Sequence, residues 1–159
     1  MGIEPFLIAS TVNTIIGQRL VRRVANRRDA YWSTPLETQM IKETVGHLLP
    51  KTKEEVAQVS ADLGYKDLPL ANQTAYTLVK GRDTPATPHG YAGRAGIFEV
   101  MDVTEAIQDL IVKRATSAEI QHKAIEQGMV TMRQDGYLKA LAGITTLEEV
   151  NRVTSADTA

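Results

Sequence analysis

Five arginines, Arg19, Arg22, Arg23, Arg27 and Arg28, stand between Gln18 and Arg28. A guanidinium is planar, forked and permanently charged. Placed beside a phosphoryl group, it stabilises developing negative charge even when another segment binds the nucleotide. The competing reading is a solvated strand edge, or ion pairs with neighbouring acids. Nucleic acid is a third partner class, but the cluster lacks interleaved aromatics and the net charge is -1. No nucleic-acid partner is therefore expected. Splitting a nucleotide unaided also needs a cradle of backbone amides and a lysine, the G-x-x-x-x-G-K-[ST] pattern. The sequence contains no such run, and Gly90, Gly93 and Gly96 precede a predicted strand rather than a lysine. No catalytic residue is assigned.

Other chemistries are thinly supplied. The chain has no cysteine, so neither a disulfide framework nor a thiol nucleophile is available. His47 and His122 stand alone on predicted helices, and Asp83 with His89 is a weak metal pair. No H-E-x-x-H and no serine–histidine constellation occurs. Met129, Met132 and Tyr137 read as core or groove-filling groups. Asn72-Gln73-Thr74 fits a glycosylation sequon, which has meaning only in a secreted chain.

The elements that must position these residues can be read from periodicity and punctuation. The 159 residues, 43% hydrophobic and 23% charged, suit one domain or two small ones with a real core. The apolar stretch Phe6–Ile16 is interrupted by Ser10, Thr11, Asn13 and Thr14, and lacks a basic lead-in. It predicts neither a membrane span nor a signal peptide. Ile8, Val12, Ile15 and Ile16 fall on one helical stripe, predicting a helix over Glu4–Ile16. Gln18–Val24 predicts a strand, and Asn26–Tyr31 a charged loop. Thr34-Pro35-Leu36-Glu37 is a capping box opening a helix in which Leu36, Met40, Ile41, Val45, Leu48 and Leu49 keep the period. Thr52-Lys53-Glu54-Glu55 predicts a second, ending at Gly64. Tyr76–Val79 and Ala95–Met101 read as strands, separated by a Pro-rich loop from Thr84 to Gly90. Helices follow over Thr104–Ala115, Thr116–Gln127, Thr131–Ala142 and Thr146–Val153. Thr116–Glu119 and Thr145–Glu148 are predicted capping boxes, and Gly128 and Gly143 stops. Their inward residues are Ile107, Leu110, Ile111, Ile120, Ala124, Met132, Leu138, Leu141, Leu147 and Val150.

Three stretches together carry a resemblance: Gly2–Ser10 (GIEPFLIAS), Gln18–Arg22 (QRLVR) and Gly90–Val153, beginning GYAGRAGIFEVMDVTEA. They closely resemble the C-terminal end of the ATPases that drive type II secretion and type IV pilus assembly. Residues 31–74 match nothing nameable. The resemblance implies that the nucleotide-binding and hydrolytic motifs lie upstream of the Gly-Ile-Glu-Pro-Phe segment, so this chain begins after them and is not an enzyme by itself. Gln18, Arg19, Arg22 and Arg23 would lie beside the nucleotide pocket, with Arg22 the preferred contributor. Gly90, Gly93, Arg94 and Gly96 would form a structural motif, Arg94 tying the strand to the preceding loop or a neighbouring subunit. Many relatives carry two C-x-x-C pairs, whose register falls here on Ala25 and Arg28, and on Asp83 and Ala86. All four cysteines are gone, so zinc is not expected; the two helices between Thr34 and Gly64 would take over the stapling.

The implied fold is α+β and mostly α. Residues 1–30 would be the terminal helix and strand of a RecA-like ATPase core, and 31–92 an insert and linker replacing the metal-binding hairpin. Residues 93–153 would be a helical C-terminal subdomain with a few short strands, and 154–159 a disordered tail. The parent would be a cytoplasmic ring hexamer, peripheral at the inner membrane, coupling Mg-ATP hydrolysis to subunit motion and acting on an inner-membrane platform protein. This chain would pack against other copies of the subunit and relay motion, with no cofactor of its own. The alternative is a freestanding helical interaction module derived from such a motor.

Overall fold

The computed structural model describes residues 2–154. Its elements, in order, are α1 (Pro5–Thr11), β1 (Thr14–Val24), β2 (Arg28–Trp32), α2 (Pro35–Val45), α3 (Val56–Asp62), β3 (Thr77–Gly81), a 3-10 turn (Pro88–Gly90), β4 (Tyr91–Asp102), α4 (Glu105–Val112), α5 (Ser117–Glu126), α6 (Met132–Leu141) and α7 (Leu147–Val153). The α+β class is as expected.

Two antiparallel ribbons organise the chain. β1 pairs with β4 from Thr14 opposite Asp102 to Arg22 opposite Arg94, and the register shifts before Val24 meets Tyr91. β2 pairs with β3 from Arg28 opposite Gly81 to Trp32 opposite Thr77, and α2 and α3 lie between those strands in the chain.

Two predicted elements change identity. The helix expected over Glu4–Ile16 stops at Thr11, and Thr14, Ile15 and Ile16 open β1 instead. Residues 11–16 are nearly all β-branched, which favours a strand once a partner is available, and β4 supplies it through Ile15 opposite Met101 and Ile16 opposite Val100. The charged loop expected over Asn26–Tyr31 is largely strand β2, completed by a long-range pairing that its local composition does not signal. Both main strands also run longer than predicted, so β1 and β4 are not short.

Capping explains most helix starts. Thr34 with Glu37, Thr116 with Glu119 and Thr131 with Gln134 form reciprocal boxes. The helix expected from Thr52, α3, starts late, at Val56, although Glu55 still accepts the Lys51 amide at 2.8 Å. α2 ends at Val45, and a tighter turn carries the chain on to Leu49.

The larger buried cluster joins Ile41, Val45, Leu49, Leu68, Ala71, Tyr76 and Leu78 to Tyr137, Leu138, Ala140, Leu147 and Val150. Each fully buried aliphatic side chain contributes roughly 1.5–3 kcal/mol relative to exposure. Ile41, Val45 and Leu49 therefore bind α2 and its exit turn firmly to α6 and α7. Leu36, expected on the same apolar stripe, is instead exposed. A smaller cluster of Val103, Ile107 and Ala124, flanked by Val12, Met101, Ile111, Ile120 and Met129, sits beneath α4 and α5. Of the predicted tail, residues 155–159 lie outside the described residues. Thr154 does not belong to it: its amide and hydroxyl both donate to the Val150 carbonyl, closing α7.

Candidate functional site

The arginine strand is pinned to the last helix by contacts along β1. The Val24 amide donates to the Ile144 carbonyl at 2.9 Å, and the Thr145 hydroxyl donates to the Arg22 carbonyl at 2.8 Å. The Arg22 Nε donates to Glu149 Oε2, and Arg19 donates to the carbonyl of Val153. Arg152 meets the other oxygen of Glu149 at 2.5 Å. Arg22 and Arg94 face each other across the ladder, where like charges repel. Glu149 offers Arg22 a partner away from Arg94.

The surroundings of Arg22 are aromatic as well as ionic. Its guanidinium lies 4.2 Å from the centroid of the Tyr91 ring, close enough for a cation–π contact. The Tyr91 and Thr146 hydroxyls share a hydrogen bond at 2.8 Å, which fixes the ring. The hydrogen bond to Glu149 raises the Arg22 pKa above its ordinary value, so the group stays charged. These residues border a cleft of about 880 Å³, also lined by Tyr31, Glu37, Lys80, Asp83, His89 and Glu148. Desolvation, then a hydrogen bond to Glu37, pushes the Tyr31 phenol up to about 12. The cleft combines charged side chains with two aromatic rings.

The remaining sequence-predicted residues lie around this strand. Gln18 is exposed opposite Phe98, with its amide nitrogen beside Gly96. Arg23 is exposed and passes Gly93. Arg94 is exposed, and its side chain makes no hydrogen bond or ion pair among the described residues. Gly90 has a steric reason: a Cβ there would fall 2.2 Å from the carbonyl oxygen of Gly81, where two backbones cross. Gly96 lies under the Phe98 ring, which a Cβ would approach to 2.8 Å.

At the positions where relatives would carry cysteines, other contacts close the loops. The Ala25 amide donates to the Gly90 carbonyl at 2.9 Å, and Arg28 donates to the Gly143 carbonyl at 2.5 Å. Asp83 accepts the His89 amide at 3.0 Å, and Ala86 sits in a turn closed by Thr84 and Thr87. Arg82 grips Asp29 through two nitrogens, at 2.9 and 2.6 Å. Among the described residues, no three His, Asp or Glu side chains converge as a metal site.

Sequence reasoning missed Tyr91, Thr145, Thr146, Glu149 and Arg152. The signal lay in Thr145-Thr146-Leu147-Glu148-Glu149, whose doubled threonine and glutamate allow two capping registers. The predicted box from Thr145 is shifted by one. Thr146 is the cap, accepting the Glu149 amide at 3.2 Å. That shift releases Thr145 to the Arg22 carbonyl and sends the Glu149 carboxylate to the arginines.

Comparison with known proteins places the chain in a family. The family described as type II/IV secretion system protein matches residues 1–152, and the chain belongs to that family. Among its relatives is the type IV pilus assembly ATPase PilB of Myxococcus xanthus, 33% identical over 161 residues that cover 99% of this chain and 24% of that protein. PilB of Pseudomonas aeruginosa is 34% identical, covering 97% of this chain and 23% of the relative. Type II secretion system protein E of Xanthomonas campestris is also 34% identical, with the same coverages. The chain thus spans about a quarter of the length of these relatives.

Proposed function

We propose that the chain is the C-terminal piece of a secretion or pilus-assembly ATPase, serving subunit packing and relay of motion rather than hydrolysis by itself. The observation that carries this reading is an apolar ribbon face. Residues opposite one another in an antiparallel ladder share a face, as do alternate residues along each strand. Ile16 and Leu20 of β1 therefore stand with Phe98 and Val100 of β4, and they are 65%, 48%, 41% and 47% exposed. Phe6 and Leu7 of α1 are exposed as well. A face of this kind marks a surface that another protein element covers. In this reading α1 and the first ribbon strand end a RecA-like core, and the face docks against the rest of that core.

The complete protein would assemble as a ring hexamer at the cytoplasmic side of the inner membrane, use Mg-ATP and act on a platform protein. Gln18, Arg19, Arg22 and Arg23 would lie near its nucleotide, while Gly90, Gly93, Arg94 and Gly96 shape the return strand. No zinc is assigned to the chain. Among the described residues, no helix is long and apolar enough to cross a membrane.

Light scattering over a wide concentration range tests the packing role. The apparent mass should rise with concentration, and Ile16→Thr with Leu20→Thr should suppress the rise. A mass that stays monomeric throughout overturns the reading. Robust Mg-ATP turnover by the purified chain would overturn its non-hydrolytic part.

A further inference from the structure

Two further clefts carry opposite charge. One, of about 580 Å³, opens where β1 gives way to β2 and is lined by Arg23, Arg27 and Arg28, with no Asp or Glu among its described residues. Arg28 donates to the Gly143 carbonyl. The exposed Arg23 and Arg27 side chains have neither a hydrogen bond nor an ion pair among the described residues. Arg22 belongs to the neighbouring cleft and takes no part in this one. The other, of about 460 Å³, lies against β4, α5 and α6 and is lined by Asp62, Asp102 and Asp135, with no Lys, Arg or His among its described residues. Lys139 pairs with Asp135 at its margin. Asp62 and Asp102 accept only from the neutral Gln58 amide and Thr14 hydroxyl. Phe98, Val100 and Met129 make its wall apolar. Ala92 of the first cleft and Val100 of the second both lie on β4. At the rise of an extended strand they stand about 26 Å apart. The chain therefore cannot bring its own arginines to its own aspartates.

We propose that these clefts are the two halves of a head-to-tail contact between copies of this chain, in which Arg23 and Arg27 of one copy enter the acidic cleft of the next. Charge gathered without counter-charge repels itself, and complementary patches steer association and fix its register. An apolar wall between carboxylates suits arginine, whose alkyl stem lies on hydrophobic surface while its head reaches the acids. The ring of Phe98 adds a face on which a guanidinium can stack. The two halves are different surfaces, so each copy keeps one half free, and the contact repeats until it closes a ring or continues as a filament. This rests on the subunit-packing reading and deepens it. Phe98 and Val100 belong both to the acidic cleft and to the exposed ribbon face, so the face gives contact area and the clefts give direction.

Sedimentation of the whole chain tests the contact by exchanging its charges. Arg23→Glu with Arg27→Glu makes both clefts acidic, and Asp62→Lys with Asp102→Lys makes both basic. All four side chains are exposed, so the fold should survive, and circular dichroism checks it. Each double variant alone should associate at least about tenfold more weakly than the wild-type chain. An equimolar mixture should recover association, because each variant now offers what the other lacks. Wild-type association should also weaken about tenfold as salt rises from about 0.05 to 0.5 M, since exposed charge pairs are screened. Variants that associate as well as the wild-type chain, a mixture no better than its components, or association that salt leaves unchanged or strengthens overturns the proposal. If a reversal does not fold, Arg23→Gln with Arg27→Gln replaces it, and undiminished association by that variant overturns the proposal alone. Wild-type association that persists in the charge variants but falls in Ile16→Thr with Leu20→Thr defeats the clefts and leaves the packing reading standing. Association lost in the charge variants and untouched by the threonine pair does the reverse. A wild-type chain that is monomeric at every concentration overturns both.

Discussion

The two sides of this molecule are finished to different degrees. Around α2, α6 and α7 the apolar residues are fully enclosed, with Ile41, Tyr76, Tyr137 and Val150 all at 0% exposure. Along α1 and the β1–β4 ribbon, comparable side chains face outward, Phe6 at 66% and Ile16 at 65%. Hydrophobic content alone does not separate the regions; the difference is whether the chain supplies its own cover. The expectation that residues 31–74 match nothing is overturned by the comparison, since the family match covers residues 1–152 and so runs through both sides. Uncovered face and enclosed core thus lie within one family match, and only the core is completed by the chain's own residues.

Breaking the closed side should give the largest effect. Ile41→Ala should destabilise the fold by about 2–5 kcal/mol, as expected when a large aliphatic is removed from a core. Denaturant unfolding should show one cooperative transition shifted as a whole; a separate early loss of α2 alone would mean that residues 33–76 are an independent excursion. Gly136→Ala comes next. A methyl there would stand 2.5 and 2.9 Å from the two Val150 methyl carbons, so α6 and α7 must separate. Overpacking of this kind costs about 1–3 kcal/mol. Thr34→Ala should cost about 1 kcal/mol by removing the α2 cap, and helix-resolved amide exchange would localise it.

Ile16→Thr with Leu20→Thr sharpens the contrast from the open side. Stability should move by no more than about 0.5 kcal/mol, the usual range for surface changes, while self-association falls. The smallest effect concerns pH. The hydrogen bond from Arg82 holds the Asp29 carboxyl below its ordinary value, as the Thr116 amide does for Glu119. Their stabilisation is present above the usual carboxylate range near 4 and fades as pH falls through the lowered folded values. Arg82→Ala should raise the Asp29 pKa, and side-chain NMR titration reads it directly.

The legible parts of the sequence were the local ones. Thr34 and Thr116 announce helix starts through partners three residues away, and Gly64, Gly128 and Gly143 stop helices at positive φ. Ile107, Ala124, Leu138, Leu147 and Val150 are buried as their spacing predicts. Ile15 and Ile16 misled because their stripe also fits a helix, and only the distant β4 decides between the two. β2 was hidden for the same reason, its partner lying beyond α2 and α3. The arginines were visible as a cluster, but the pairing of Arg22 with Glu149 spans 127 positions and depends on a one-residue choice of cap. No local pattern contains that information.

The neck formed by Trp32 and Thr77 gives residues 33–76 an unusual status. The polypeptide departs and returns through adjoining rungs of a ladder, so this stretch could change length without disturbing the register of the strands on either side. Excision is a different matter. Removing it would uncover Tyr137, Leu138 and Val150 to water, turning a topological convenience into a thermodynamic necessity.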